Sequence, residues 1–307
     1  MKNDHENEKK QNLLRLLIYL ILSFLPDIIS VLVIWLIFKE PLFASKNYRV
    51  TQLAYVFGIL GMMAPSTACL LTRLLTKEGF GNNYLDIRIK GNAGYWIIPI
   101  LVKFLEGWVY LPVLWFLFMR HTSLSADYPN FNAVSIASYL HQICVVFLCF
   151  FSPFGEEWGW RGYMMPKLLK LMPKPAAVIL GGIIWGLWHA PFTITGHNFG
   201  INYPGFPYLG ILLMCLVCVV NNAFLTLVTE KTGSIFPATF IHGINNSLSV
   251  SILLTLFASS SLRYKVESAG TIKMTLIITI IPAITGIVSL ILFMKKRVKC
   301  VNGDGSV

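Results

Sequence analysis

Charge is what this chain has little of. Only 13% of its 307 residues are Asp, Glu, Lys or Arg, about half the share of a soluble domain. That scarcity excludes an ordinary water-facing globular protein. Several chemical signatures are missing as well. There is no H-E-x-x-H zinc helix, no G-x-S-x-G elbow and no aspartyl pair across two spans, which sets aside the motif-defined proteases of those types. Cys215-x-x-Cys218 looks like half a metal site, but no second pair follows. Of the six cysteines, Cys69, Cys144, Cys149, Cys215 and Cys218 fall in apolar segments and only Cys300 does not. They read as small hydrophobes, with no disulfide framework. Internal repeats are absent too, which argues against an inverted-repeat transporter. No loop is long enough for a second domain; the longest runs over about 77–94.

What is present is apolar sequence in blocks of about 20 residues or more, the length a bilayer span requires. The chain is 55% hydrophobic with a mean hydropathy of +0.66. Spans are expected near 13–38, 51–76, 95–119, 133–156, 176–195, 207–229, 234–258 and 271–294. The expected fold class is all-α, a polytopic membrane bundle of about eight transmembrane helices. One membrane domain, 13–294, lies between a polar N-terminal tail, 1–12, and a basic C-terminal tail, 295–307. The first span does not read as a cleavable signal: it is too long, contains Asp27, and no small-residue cleavage site follows.

The net charge of +11 raises the question of nucleic acid. Its distribution answers otherwise. With the N-terminus inside, 17 of the 25 Lys and Arg residues fall in cytoplasmic segments and 6 outside, and Lys103 and Lys273 lie within spans. This is the positive-inside bias of a multi-pass protein in the cell membrane, with both termini cytoplasmic and anionic lipid as the partner, not nucleic acid.

Ionisable groups inside spans are costly and often mark function. They gather in the second half of the chain, in 153–250. Glu156-Glu157-x-x-x-Arg161 places Glu157 and Arg161 one helical turn apart, in the favourable order for an ion pair. Glu156 projects about 100° away and keeps a free carboxylate. That leaves Glu156 a candidate general base, against an interfacial charge cluster that merely ends a span. Trp185-Gly-Leu-Trp-His189 puts an imidazole inside an apolar span, where it is a base, a donor, a metal ligand or a core histidine. His242-Gly-Ile-Asn-Asn246 aligns His242 and Asn246 on one helix face, as oxyanion donors or as polar glue between helices. Together the three motifs supply what activating a water against a carbonyl requires.

The same three motifs carry a resemblance. EEWGWRG is similar to the E-E-x-x-x-R motif of the CAAX-protease and bacteriocin-processing family, the Abi intramembrane proteases. WGLWH resembles its F-x-x-x-H motif and HGINN its H-x-x-x-N motif, in the same order and over roughly residues 140–250. The resemblance implies an eight-helix bundle open to the cytosolic side and peptide-bond hydrolysis by a glutamate-activated water. It makes Glu156 the activating carboxylate and His189 its partner. His242 and Asn246 would bind the oxyanion and place the water, and Glu157 and Arg161 would support the site. Trp185 stands where the family usually has Phe, so an altered cavity wall is expected. A metal-free mechanism with no required cofactor is favoured. The alternative is a zinc site on Glu156, His189 and His242. The substrate class is a peptide or a lipidated protein tail, with maturation of a small secreted peptide, or immunity against one, equally open. The rival readings are a non-catalytic immunity or scaffold protein and, behind it, a proton-coupled transporter.

Two further expectations concern depth. Counting from the inner edge at about 1.5 Å per residue puts His189 deeper than Glu156, a mismatch resolved if the span before Glu156 ends later or the span before His189 starts later. Asp27, Lys103 and Glu106 lie at similar depths, as for a buried network acting as structural glue, with substrate contact as the other reading.

Overall fold

The computed structural model describes residues 2–148 and 150–295; Cys149, Cys300 and most of the basic C-terminal tail lie outside the described residues. All regular structure among them is helical. The principal helices are α1 (Lys2–Phe38), α2 (Tyr48–Leu75), α3 (Ala93–Met119), α4 (Ala133–Leu148), α5 (Phe151–Leu171), α6 (Lys174–Trp188), α7 (Tyr208–Thr232), α8 (Phe236–Ser247), α9 (Val250–Phe257), α10 (Ser260–Ser268) and α11 (Thr271–Met294). Five of them (α1, α2, α3, α7 and α11) are long and apolar enough to cross a membrane. The count reaches seven if each of the bent pairs α4–α5 and α8–α9 is one span. The chain is thus a multi-pass membrane bundle, close to the eight spans expected. The eighth element, α6, has 15 residues and is short of a full crossing.

Three local departures from the expected spans matter for the site. The apolar run over 133–156 does not end in a carboxylate pair at the bilayer edge. A second helix, α5, starts at Phe151 and carries Glu156 and Glu157 in its second turn, both buried. Helical structure thus continues past the expected end at 156, to Leu171. Next, α6 stops before His189, which caps its C-terminus ahead of Pro191, because proline cannot continue a helix as donor. Last, the span over 234–258 breaks at Leu248 and Ser249, with α8 and α9 bent by 46°. The N-terminal tail is also not separate: α1 begins at Lys2, and Glu8 pairs with Lys170 of α5 at 3.1 Å.

Two apolar clusters organise the bundle. One joins α1, α2, α5, α6 and α7 through Tyr19, Cys69, Trp160, Met164, Trp188 and Val228. The other joins α3, α4, α9 and α10 through Leu114, Tyr139, Leu253, Phe257 and Leu262. Helix α8 belongs to both: Ala238 and Ile241 enter the first cluster, Ile244 the second. Without a hydrophobic drive between helices in lipid, small residues decide how closely helices approach. Along α5, a Cβ at Gly159 would stand 2.3 Å from Pro65 Cβ, so α2 and α5 meet nearly backbone to backbone. Along α6, a Cβ at Gly186 would stand 2.4 Å from Cys215 Cα of α7. Among the described cysteines, Cys69, Cys144, Cys215 and Cys218 are all free thiols.

The expected Asp27–Lys103–Glu106 network is only half right. Lys103 donates to Glu106 at 2.8 Å and to Asn221 at 3.3 Å, and Thr285 donates to Glu106 at 2.9 Å, tying α3 to α7 and α11. Asp27 is elsewhere. It lies on α1, which packs on α2, and faces Gly61, where a Cβ would stand 2.8 Å from its Oδ1. Equal depth in a bilayer does not make two helices neighbours. Replacing Lys103 by Met leaves Glu106 a buried charge without its cation, a loss of about 3–5 kcal/mol for a pair of this kind. The expected result is a clear fall in the melting temperature of the detergent-solubilised protein; an unchanged one would show that the pair does not hold α3 in place.

At one end of the bundle Glu78, just beyond α2, accepts from Tyr163 at 2.7 Å and Lys167 at 2.5 Å, with Arg15 at 3.8 Å. Partial burial disfavours the Glu78 carboxylate, but the hydrogen bonds from Lys167 and Tyr163 outweigh it and hold its pKa below the ordinary value. Because the folded pKa is depressed, the stabilisation is present above the unfolded pKa of about 4.3 and is lost as pH falls through the folded value. Glu78→Gln is therefore expected to melt below the native chain at pH 7. The difference should shrink toward zero below about pH 4; a difference that persisted there would point to shape, not charge.

Candidate active site

Glu157, completely buried, sits at the centre of the polar cluster. Its Oε1 accepts from Arg161 Nη1 at 2.7 Å, one turn along α5. The same oxygen accepts from His242 Nδ1 at 2.8 Å, across from α8. Arg161 stands in a π-helical turn, Trp160–Met164, a widening of the helix that often marks functional positions. With Nδ1 committed to Glu157, the His242 ring turns Nε2 toward Glu156, 4.0 Å from its Oε1. That separation exceeds a hydrogen bond and suits a bridging water. A carboxylate that orients a histidine and fixes its tautomer is a recurring device in hydrolytic sites.

Glu156 has its other oxygen engaged. Trp185 Nε1 of α6 donates to Glu156 Oε2 at 2.8 Å. The face of the same indole covers Arg161, whose Cζ lies 4.0 Å from the ring centroid. His242 meets it in a T-shaped contact at 5.5 Å. His189 is one turn farther on. Its Nδ1–H donates to the Trp185 carbonyl at 2.9 Å, and its ring stands 4.8 Å from that of Trp188. Trp188 in turn donates to the Ser23 carbonyl of α1 at 3.1 Å. Asp27, one turn beyond Ser23, is buried, and neither of its oxygens has a hydrogen-bond partner among the described residues.

The structure thus brings together Glu156, Glu157, Arg161, Trp185 and His242, with His189 beside them. Asn246 is not drawn in. It is exposed near the end of α8 and has no hydrogen bond among the described residues. Sequence reasoning missed two roles. Glu157 does more than pair with Arg161: it also orients His242, which only the approach of α8 to α5 could reveal. Trp185 does more than line a wall: its N–H reaches Glu156, which the replacement of Phe by Trp foreshadows, since only the indole carries a donor. A zinc ion would need Glu156, His189 and His242 to converge at about 2 Å from one point. No three His, Cys, Asp or Glu side chains do so among the described residues. The residues as arranged do not fit that group.

A buried carboxylate facing an oriented imidazole in a membrane helical bundle defines the class: a candidate intramembrane hydrolytic site. Residues 139–248 match the family described as Type II CAAX prenyl endopeptidase Rce1-like. The matched segment spans the whole cluster apart from Asp27 and Ser23 on α1. A search of curated proteins returned no match to the chain.

The Glu157–Arg161 pair yields a direct test. Arg161→Met leaves a buried carboxylate facing only His242, and removing one partner of such a pair costs about 3–5 kcal/mol. A large drop in melting temperature in detergent is expected, with a smaller drop for Arg161→Lys, which keeps the charge. Equal stability of all three proteins would mean that the pair does not stabilise the fold.

Proposed function

We propose that this chain is an intramembrane endopeptidase that hydrolyses a peptide bond with a water activated by Glu156. The observation that carries the reading is the 4.0 Å gap between Glu156 Oε1 and His242 Nε2, with His242 held from behind by Glu157. A water in that gap gives a proton to Glu156 while its oxygen attacks the carbonyl carbon of the scissile bond. The carbonyl oxygen becomes an oxyanion, taken up by the Nε2–H of His242 in its imidazolium form, with Nδ1–H still on Glu157, and, once substrate draws the end of α8 inward, by the Asn246 amide. Glu156 then returns the proton to the leaving nitrogen as the C–N bond breaks. General base catalysis and oxyanion stabilisation of this kind supply about 10²–10⁴-fold and about 10²–10³-fold respectively. His189 fits beside this pair as a second imidazole whose Nδ1 is satisfied by backbone, leaving Nε2 to polarise the water or the substrate. No step needs a metal ion.

The substrate in this reading is a peptide or a lipid-linked protein tail, reached from the cytoplasmic side or from the membrane plane, with both termini of the enzyme cytoplasmic. The endopeptidase description of the matched family supports the reaction class. The charge asymmetry of the chain supports the orientation.

The test is quantitative peptidomics and N-terminal profiling of cells that carry the native chain against cells that carry Glu156→Gln, at matched membrane levels. A peptide or new terminus that depends on Glu156 is the expected result. Identical profiles, with a phenotype of the native chain that the Gln variant retains, would favour a non-catalytic immunity or scaffold protein.

A further inference from the structure

Two adjacent carboxylates, Glu156 and Glu157, share one buried cluster with the guanidinium of Arg161. Arg161 uses Nη1 on Glu157, while its Nε and Nη2 are buried and have no hydrogen-bond partner among the described residues. Arg161 and Glu156 flank the same indole, that of Trp185, the cation over its face and the carboxylate at its N–H. Left to itself, Glu156 would be drawn to those open donors. Paired there, it would turn away from His242, because a charge-assisted bond to Arg is roughly twice as strong as a neutral one. Something must hold Glu156 on the His242 side.

We propose that Trp185 is that residue, a positioning group that keeps Glu156 off Arg161 and pointed at His242. The indole does this with two surfaces. Its face lies over the guanidinium at 4.0 Å and covers the cation. Its edge presents Nε1–H to Glu156 Oε2 at 2.8 Å, which leaves Oε1 as the oxygen facing His242. The indole itself is held: α6 packs so closely on α7 that Cβ atoms at Gly182 and Gly186 would each meet α7 backbone at 2.4 Å. A Phe would keep the cover and lose the tether. The two surfaces are therefore separable by substitution. This inference rests on the endopeptidase reading for its effect on turnover, but not for the tether itself.

Two measurements on the full-length protein in detergent micelles test it. In the first, indole-15N labelling gives one N–H resonance per tryptophan, and Trp185 is assigned by the signal lost in Trp185→Phe. That resonance is expected to exchange slowly with deuterated water and to shift and exchange faster in Glu156→Ala, while the other indoles hold still. A Trp185 resonance indifferent to Glu156→Ala would overturn the tether, whatever the protein's activity.

The second uses a quenched-fluorescence peptide built on the Glu156-dependent terminus found by profiling. Trp185→Phe is expected to lower kcat by about 10- to 100-fold, the range for groups that orient a reacting side chain. KM should change less than about twofold, since substrate binding energy is not at stake, and the melting temperature should fall less than in Trp185→Leu. Trp185→Leu, without the aromatic face, should lose both kcat and melting temperature. A Trp185→Phe enzyme with native kcat would overturn the positioning role. Absence of any Glu156-dependent cleavage would instead remove the endopeptidase reading, and the indole resonance would still decide the tether.

Discussion

One oxygen atom organises this site. Glu157 Oε1 accepts from Arg161 on its own helix and from His242 on α8. In water two such hydrogen bonds would be nearly balanced by solvent. Inside the bundle there is no solvent to balance them, and any buried polar group without a partner costs roughly 1–3 kcal/mol, more if it is charged. The shared oxygen therefore fixes the rotation of α8 about its axis, the tautomer of His242 and the face that Nε2 presents. Glu156, Trp185 and His189 take their places around an imidazole that has already been oriented.

That bond can form only because α5 reaches its position. Gly159 brings α5 against Pro65 of α2 at backbone distance, and Gly182 and Gly186 do the same for α6 on α7. These contacts fix α5 against α2 and α6 against α7, and the indole of Trp185 reaches Glu156 from α6. A methyl group at Gly159 would push α5 off α2 and move both glutamates at once. The packing residues and the chemical residues thus alternate along the same few turns, Gly155 and Gly159 on one face of α5, Glu156 and Glu157 on the others.

Much of this was legible in the sequence, for identifiable reasons. The spans followed from hydropathy, because the bilayer demands long apolar runs. The Glu157–Arg161 pair followed from helix spacing, and both halves of the Lys103–Glu106 pair from theirs. What sequence could not give was which helix stands beside which. Asp27 was matched to Lys103 by depth, yet α1 packs on α2, and Asp27 meets Gly61 instead. The breaks were also hidden. Hydropathy runs unbroken through Leu148 and Phe151 and through Leu248 and Val250, so a bend there leaves no trace in a sliding average. Asn246 does follow His242 by one turn of α8, as the four-residue spacing implied, but it is exposed near the helix end at Ser247, which the spacing could not show.

The adjacent glutamates show how identical side chains acquire different duties. Glu157 has a guanidinium and an imidazole N–H on one oxygen and is immobile. Glu156 has a single neutral donor, the indole, and an oxygen left over. The first arrangement suits a structural anion and the second a group that must take up and release a proton, since a base tied to a fixed cation gains little from protonation. A helix rotates successive residues by about 100°, so a doubled glutamate reaches two environments from one turn: one facing the arginine below, the other facing the seam where α6 and α8 meet. Because α8 contributes Ala238 and Ile241 to one apolar cluster and Ile244 to the other, the imidazole opposite Glu156 stands where the two halves of the bundle join. A movement of α8 against α5 therefore changes the gap between Glu156 and His242 and the bond from His242 to Glu157 together.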